Sequence, residues 1–252
     1  TVATLGDNVY RDGMARAVDG IAGLVGRDRP SLATEFSDCY GPGWGRHKAR
    51  TRPAAGNHDY DDGDGSGYFG YFGGAAGDPD EGWYSYDLGS WHVVVLNSNC
   101  GEVGGCEAGS PQEQWLRSDL AAHPAACTLA YWHHPRFSSG EHGNAPTMEP
   151  IWQALYEAGA DVALAGHDHD YERFAPQDPS GRADPARGLR EFVVGTGGRS
   201  LRGFERPRPN SEVRDHASFG VLKLTLHQTA YDWAFVPVAG ETIADAGTAA
   251  CH

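Results

Sequence analysis

Residues 162–169 read Val-Ala-Leu-Ala-Gly-His-Asp-His, an apolar run that ends at a glycine and continues directly into two histidines. A short apolar run bounded by a turn residue is typical of a buried strand. Side chains at the carboxyl end of such a strand lie where α/β sheets bind their ligands. The stretch therefore predicts an α/β fold in which His167 and His169 face a binding site.

Three other segments place Asp, Asn or His beside a glycine or a proline in the same way. The apolar strand Val2–Leu5 ends at Gly6-Asp7, and the strand Thr128–Trp132 runs into His133-His134-Pro135. The remaining segment is Gly56-Asn57-His58-Asp59. One such segment alone is commonly just a turn or the end of a strand. Four of them in one chain indicate a shared site.

The donor atoms in these segments indicate which ligand the site binds. Carboxylate oxygen, amide oxygen and imidazole nitrogen suit cations such as Mn, Fe and Zn, and the absence of cysteine argues against a thiolate site. Histidines at positions i and i+2 of a turned segment need not face the same way, so His167 and His169 can each bind a different ion. The pattern predicts a dinuclear metal centre.

The order of elements predicts the architecture. Early alternation of strands and helices, followed by strand hairpins, favours an α/β fold of two packed mixed β-sheets flanked by helices over a doubly wound sheet. We read residues 1–252 as a single domain with a C-terminal tail at 238–252. The other predicted elements are a helix over Met14–Val25, a loop over Asp38–Gly45, an ordered excursion over Asp61–Gly82, a hairpin of Trp83–Leu88 with Trp91–Leu96, a helix from Ser110-Pro111 to Leu120, a helix from about Thr147 to Glu157, and antiparallel-type strands at Phe192–Val194, Val221–Leu226 and Tyr231–Val236.

The overall charge limits the possible partners. The formal net charge is −14 and the pI is near 5.2. Proteins that bind nucleic acid or an anionic membrane usually carry a basic face, so neither is expected as the main partner. No apolar run approaches the ~20 residues of a membrane-spanning helix. An anionic substrate needs local positive charge, which bound metal ions supply.

The chain has five cysteines. Cys100 and Cys106 flank a short glycine-rich loop that a local disulfide can close, which suggests an oxidising compartment. Cys39, Cys127 and Cys251 cannot all pair among themselves. One of them is free, pairs between chains, or has its partner outside this sequence.

The order of the four segments resembles that of the calcineurin-like metallophosphoesterases. Tyr10, three residues after Asp7, resembles the purple acid phosphatase branch, in which a tyrosine phenolate binds a ferric ion. The resemblance runs from residue 1 to about residue 237. It implies a four-layer α-β-β-α sandwich, a secreted or extracellular location with the signal peptide absent from this sequence, and two metal ions, Fe plus Zn, Mn or Fe.

The resemblance also assigns roles to individual residues. Asp7 is expected to bridge the two ions, with Tyr10 and His169 on the first ion. The ligands of the second ion are expected to be Asn57, His133 and His167, and His133 is preferred to His134 because the family's ligand precedes its proline by two residues. His58 is expected to contact the phosphoryl group and protonate the leaving oxygen, and His142, nine residues after His133, to contact substrate.

One family motif is not found where the resemblance places it. An Asp-x-Gly or Asp-x-His motif should lie a few tens of residues before Asp7, so the chain is expected to lack the family's first strand and one carboxylate of the first ion. Asp245-Ala246-Gly247 has the right letters but follows no apolar strand, and we interpret it as chance. If the missing segment carries a cysteine, Cys39 is its possible partner and Cys127–Cys251 the remaining bridge.

The expected reaction is hydrolysis of a small-molecule phosphomonoester by a hydroxide that bridges the two metal ions. One alternative is a phosphodiesterase or nucleotidase with the same centre. Another is an N-terminally truncated fragment that binds metal or phosphate with little activity.

Overall fold

The computed structural model describes residues 1–11 and 30–252, so the predicted Met14–Val25 helix lies outside the described residues. The α-helices in the described ranges are α1 (Leu32–Glu35), α2 (Ser66–Phe72), α3 (Pro111–Ala122) and α4 (Glu149–Glu157). A π-helical turn spans Phe36–Tyr40, and 3₁₀ turns span Trp44–Arg50, His58–Tyr60, Gly73–Ala76 and Pro146–Met148. The strands are β1 (Val2–Leu5), β2 (Thr51–Ala54), β3 (Tyr84–Leu88), β4 (Trp91–Val95), β5 (Cys127–Tyr131), β6 (Val162–Ala165), β7 (Tyr171–Phe174), β8 (Arg190–Val194), β9 (Ser211–Asp215), β10 (Gly220–Leu226), β11 (Ala230–Pro237) and β12 (Ala246–Ala250). No helix within the described ranges has the length and apolar character needed to cross a bilayer.

A large mixed sheet forms the centre of the molecule. Within the described ranges its strand order is β3-β4-β5-β6-β8-β7-β9. Strands β4, β5, β6 and β8 are parallel, whereas β3, β7 and β9 run antiparallel to their neighbours. The carboxyl ends of the parallel strands therefore share one edge, and the histidine segments after β5 and β6 begin there.

The second sheet layer consists of two pieces in the described residues. Strands β1 and β2 form a parallel pair, and β10, β11 and β12 form an antiparallel sheet. Apolar side chains of both pieces, among them Ala54 and Trp233, pack with Val93 and Phe192 of the large sheet in one core. Burial of apolar side chains between the two sheets is the main stabilising contribution in such a sandwich.

Helices cover both outer faces. On the far side of the large sheet, Leu116 of α3 and Trp152 of α4 pack against strand residues such as Val94. On the other side, an aromatic cluster joins α1 and α2, and the Tyr68 hydroxyl donates to the Pro53 carbonyl of β2 at 3.0 Å. The predicted sandwich of two packed sheets flanked by helices is confirmed.

Several local predictions are also confirmed. Trp91–Val95 pairs antiparallel with Tyr84–Leu88, as expected of a hairpin. Helix α3 begins after Ser110, whose hydroxyl accepts from the backbone N–H of Glu113 as an N-cap does. Disulfides join Cys100 to Cys106 and Cys127 to Cys251. Among the described cysteines, Cys39 stands outside the disulfides.

The predicted loop at Asp38–Gly45 is wrong. The chain is helical at Phe36–Tyr40 and again from Trp44. The reason is aromatic packing: Phe36 and Tyr40 are buried, and each has its ring 5.6 Å from the ring of Phe72. Burial of large rings outweighs the turn-forming character of the glycines and proline nearby.

Four strands were not predicted. Strand β2 lies just before the Gly56-Asn57 turn and pairs parallel with β1. Strands β7 and β9 lie at one end of the large sheet, and β12 lies inside the predicted tail at 238–252, paired with β11. The Phe192–Val194 segment, predicted as antiparallel in type, pairs parallel with β6 and antiparallel with β7. Asp245 of Asp245-Ala246-Gly247, the sequence that matches the Asp-x-Gly pattern, is ion-paired with Arg173 at 2.8 Å. This contact agrees with the interpretation that the match to the family motif is a coincidence.

Candidate metal centre

The predicted metal ligands lie together at one edge of the sandwich. Asp7 follows β1 and Asn57 follows β2, whereas His133 follows β5 and His167 and His169 follow β6. The parallel pairings β1–β2 and β5–β6 direct these chain segments to the same end of the molecule. The four sequence segments therefore form one cluster.

Asp7 lies between two groups of donor atoms. Its Oδ2 atom is 3.2 Å from the Tyr10 hydroxyl on one side and 3.3 Å from His133 Nε2 on the other. The Tyr10 hydroxyl lies 3.3 Å from Nε2 of His169. A carboxylate with donors on both sides is placed as a bridging ligand requires.

The second group of donor atoms comes from Asn57, His133 and His167, and it converges on the ring of His133. Its Nε2 atom is 3.1 Å from Oδ1 of Asn57 and 3.1 Å from Nδ1 of His167. Oxygen and imidazole donors in such a cluster fit a borderline divalent cation. The two groups match the two ligand sets implied by the sequence resemblance.

Backbone carbonyls orient two of the imidazole rings. Nδ1 of His133 donates to the Leu5 carbonyl at 2.7 Å, and Nδ1 of His169 donates to the Ser200 carbonyl at 2.9 Å. Each bond fixes the tautomer and leaves Nε2 free to act as a ligand, which is the usual arrangement around protein-bound metals.

Backbone conformation at the site is unusual. Asp7 and His167 adopt positive φ angles of 49° and 64°, a left-handed region that side-chain-bearing residues seldom occupy. Strain of this kind concentrates at functional sites. Gly6 and Gly56 are required for close approach, since a Cβ at Gly6 would clash with the His133 ring and one at Gly56 with Asp7.

Burial and mutual charge set the protonation of the site. Burial raises the pKa of Asp7, but His133 and the backbone N–H of His58 outweigh burial and hold that pKa well below its usual range. Burial lowers the pKa of His133, but Asp7 outweighs burial and raises it. Burial lowers the pKa of His167, and His133 lowers it further. A cation binding here would displace the proton of His133, because only neutral imidazole is a ligand.

Tyr10 requires a cation to act as a phenolate. Burial raises its pKa above the usual range, and the charge of Asp7 raises it further. A metal ion within bonding distance reverses this effect, because its own charge dominates the local field.

Two buried carboxylates support the ligand loops, and neither was predicted from the sequence. Asp59 accepts from the backbone N–H groups of Gly56 at 2.9 Å and Asn8 at 3.1 Å, which ties the loop of Asp7 to the turn of Asn57. Asp168 accepts from the backbone N–H of His142 at 2.8 Å. Both residues lie inside the quoted motifs, so their positions were the available signal.

The predicted catalytic histidines line the same cleft. The His58 ring lies 4.5 Å from the ring of Tyr10, and its Nδ1 is 3.1 Å from Oδ2 of Asp61. The His142 ring stacks on that of His167 at 4.2 Å. His134 lies behind them, with Nδ1 hydrogen-bonded to the Ser98 hydroxyl at 2.8 Å, and burial lowers its pKa to about 3.

Two arginines add positive charge to the cleft and were not predicted. The Arg199 guanidinium lies 4.3 Å from the centre of the Tyr10 ring, and Arg202 donates to Nε2 of His142 at 2.9 Å. Both line the cleft. They follow a glycine-rich turn after β8 in which no metal-ligand pattern occurs, so no sequence signal pointed to them. Guanidinium groups match the geometry of phosphate oxygens.

A larger groove of about 490 Å³ lies beside the Cys100–Cys106 disulfide. Its lining includes Glu107, Glu149 and Gln153, with no histidine among its described lining residues. Size favours this groove, but donor chemistry favours the smaller cleft. We therefore identify the smaller cleft as the candidate site.

An α-β-β-α sandwich with oxygen and imidazole donors clustered at its sheet edge defines the class of metallophosphoesterases. The sequence profile of the calcineurin-like phosphoesterases matches residues 2–171, and the chain belongs to that family. Purple acid phosphatase 21 of Arabidopsis thaliana is 33% identical over 165 residues, which cover 61% of this chain and 36% of that protein. Probable inactive purple acid phosphatase 1 of the same plant is 28% identical over 161 residues, which cover 57% and 26%.

A solved structure shows the same fold. The purple acid phosphatase from yellow lupin (Lupinus luteus) seeds matches with a TM-score of 0.70 at 20% identity, covering 87% of this chain and 48% of that one. The chain spans about a third of the length of the first curated relatives it matches. The sequence likeness to the plant purple acid phosphatases places the chain in the purple acid phosphatase-like branch of the family, and the lupin structure shows the shared fold.

Proposed function

We propose that the chain hydrolyses phosphomonoesters at a dinuclear metal centre. The observation that carries the proposal is the position of Asp7, whose Oδ2 lies 3.2 Å from the Tyr10 hydroxyl and 3.3 Å from His133 Nε2. The proposed first-ion ligands are Asp7, Tyr10 and His169. The proposed second-ion ligands are Asp7, Asn57, His133 and His167.

The metal ions, Fe plus Zn, Mn or Fe, supply Lewis-acid chemistry when bound: they lower the pKa of water and neutralise phosphoryl oxygens. Tyr10 favours iron at the first position. A tyrosinate-to-iron charge-transfer band in the visible spectrum tests that assignment, and a colourless protein with full metal occupancy contradicts it.

The chain's own residues bind the phosphoryl group and move the proton. His58 donates from Nε2 to the leaving oxygen, while Asp61 holds its Nδ1 at 3.1 Å. His142 and Arg202 contact phosphoryl oxygens, and a bond of 2.9 Å between the Arg202 guanidinium and His142 Nε2 holds the two side chains together. Arg199 adds positive charge at the same mouth. Local positive charge lets a chain of net charge −14 attract an anionic ester.

The proposed preference for monoesters rests on the hydrogen-bond donors that line the entrance of the cleft. A monoester presents a terminal phosphoryl group with more free charge than a diester, so a cleft with two guanidinium groups favours it. The two disulfides agree with a secreted or extracellular protein.

The test combines metal analysis with substrate comparison. Elemental analysis is expected to show two ions in the candidate centre, and p-nitrophenyl phosphate is expected to turn over faster than bis-p-nitrophenyl phosphate. Removal of the ions with a chelator is expected to abolish turnover, and their return to restore it. Faster diester turnover favours a phosphodiesterase. Full metal content without any turnover contradicts the proposal and fits a non-catalytic relative.

A further inference from the structure

A second cluster of metal-type side chains lies at the opposite end of the large sheet. His92 is the second residue of β4, and its register partner on β5 is Thr128. Thr128 precedes His133 by five residues, which is a rise of roughly 16 Å along a strand. The cluster is therefore separate from the candidate metal centre.

The donor atoms of this cluster face one another. Nε2 of His92 is 2.8 Å from Oδ2 of Asp119, and Nδ1 of His123, which donates to the backbone carbonyl of Asp119 at 2.9 Å, is 3.2 Å from Oδ1 of the same carboxylate. One ligand atom from each of the three residues lies within 4.8 Å of the others. Two ligand atoms on a tetrahedral zinc ion, each about 2.0–2.1 Å from it, are roughly 3.3 Å apart. The 3.2 Å and 2.8 Å separations, one to each oxygen of Asp119, lie within about 0.5 Å of this value.

Neighbouring elements hold the cluster in place. Asp87 of β3 is the cross-strand partner of His92, and its Oδ1 lies 2.9 Å from His92 Nδ1. A carboxylate on one imidazole nitrogen, with the other nitrogen facing the ion, is the usual support of a zinc-bound histidine. Ser85 donates to Oδ1 of Asp119 at 2.8 Å.

Burial distinguishes this cluster from a patch of surface charges. His92 is 1% exposed and Asp119 is 9% exposed. The His123 side chain is 49% exposed, and it caps the carboxyl end of α3. Its ring lies parallel to that of His92 at 4.9 Å. The exposed ring has room to turn its nitrogen toward an ion that enters from solvent.

We propose that His92, Asp119 and His123 form a second cation site, selective for Zn²⁺, that fastens the β3–β4 hairpin to helix α3. Two imidazoles and a carboxylate, with water as a fourth ligand, suit this borderline ion better than Ca²⁺ or Mg²⁺. Binding releases any proton held on the two rings to water. The site is independent of the proposed phosphatase activity.

The test compares zinc content between the intact protein and a single variant. The protein, carrying its own metal ions, is dialysed against micromolar Zn²⁺ and its zinc is measured per chain. His123→Ala is expected to bind one zinc ion fewer than the wild type, with unchanged p-nitrophenyl phosphate turnover. The matched control is His227→Ala, because His227 is another half-exposed histidine, 2.8 Å from Asp232, and it lies outside the cluster. The control is expected to keep the full zinc content.

A second measurement covers the case of altered folding. Added Zn²⁺ is expected to raise the Tm of the wild type and of His227→Ala but not that of His123→Ala. Equal zinc content and equal Tm shifts in all three proteins overturn the proposal and leave the cluster as a hydrogen-bonded network alone.

Discussion

His58 is the residue whose role separates chemistry from metal binding. Its side chain is 37% exposed, and the ligand groups around Asp7 form without it. Its backbone N–H, however, donates to Oδ1 of Asp7 at 2.9 Å. A substitution that keeps the backbone therefore removes the proton donor and leaves the ligands in place.

We predict that His58→Gln lowers kcat by about 10²–10⁴-fold, the usual contribution of a general acid. Metal content by elemental analysis is expected to stay at the wild-type value. The matched control is His216→Gln, which replaces another exposed histidine, remote from the ligands in sequence. Equal losses of metal and turnover in His58→Gln show that His58 acts structurally instead.

The sequence predicted the ligand-type side chains because each follows a strand end or a turn glycine. It could not predict Asp59 as a support, since a buried carboxylate that accepts backbone N–H groups looks like any turn aspartate until the loops are in place. Arg199 and Arg202 were missed for another reason. They reach the cleft because the Ser200 carbonyl and the Arg202 N–H bond His169, a contact between distant segments.

At the scale of elements, Asp168 fastens one loop to another. It is fully buried and accepts from the N–H groups of His142 at 2.8 Å and Gly143 at 3.2 Å, and from the Ser138 hydroxyl. Through these bonds the loop that carries His142 is held against the segment of His167 and His169.

We predict that Asp168→Asn lowers the free energy of unfolding by about 1–3 kcal/mol, because an amide nitrogen cannot accept and leaves a buried donor unpaired. KM for p-nitrophenyl phosphate is expected to rise, since His142 loses its support. Asp170→Asn is the control: its carboxyl oxygens accept no hydrogen bond from any described residue, and burial raises its pKa to about 9. If both variants show the same stability and KM, Asp168 has no positioning role.

The β3–β4 hairpin and α3 are also joined by charge. The hydrogen bond to Asp119 raises the pKa of His92 above its usual value. Burial raises the pKa of Asp119, but the hydrogen bonds from His92 and Ser85 and the charges of the two histidines together outweigh burial and lower it. The histidine's contribution to stability is full below the unfolded pKa of 6.5 and is lost as pH rises through the folded value. The contribution of Asp119 to stability is present above its unfolded pKa of 3.8 and is lost as pH falls through its folded pKa.

We therefore predict that Asp119→Asn destabilises the protein most between about pH 4 and pH 6.5, with a smaller loss at alkaline pH. Removal of one partner of a buried pair costs about 3–5 kcal/mol at most. The measurement is the free energy of unfolding against pH, with a chelator present so that zinc does not contribute. A difference between wild type and variant that stays constant from pH 5 to pH 9 contradicts the pairing.

Strand prediction failed where the alternation of apolar residues was interrupted. β7 carries Glu172 and Arg173 in its middle, and Glu172 is buried because Ser139 and Ser211 donate to it. β12 is made of small residues, and its Gly247 is required because a Cβ there would clash with the Trp233 indole. In both strands, tertiary contacts decide the structure that local pattern leaves undetermined.

At the scale of the whole molecule, the two disulfides close loops of very different size. Cys100 and Cys106 are 6 residues apart, whereas Cys127 and Cys251 are 124 apart. The longer link ties the end of the chain beyond β12 to β5 in the large sheet, across the two sheet layers. By the chain-entropy estimate, closing these loops stabilises the folded state by about 2 and about 5 kcal/mol, respectively.

We predict that Cys127→Ser/Cys251→Ser lowers the free energy of unfolding by more than Cys100→Ser/Cys106→Ser, with a difference of about 3 kcal/mol. Equilibrium denaturation of the two double variants against wild type measures this difference. Each variant removes both sulfurs, so no new free thiol confuses the comparison. Turnover of p-nitrophenyl phosphate is expected to survive in both at low denaturant, because Asp7, His133 and His167 lie at the opposite edge of the sheet from Cys127, the first residue of β5. Equal losses of stability show that residual structure in the unfolded chain, rather than loop length, sets the contribution of each bridge.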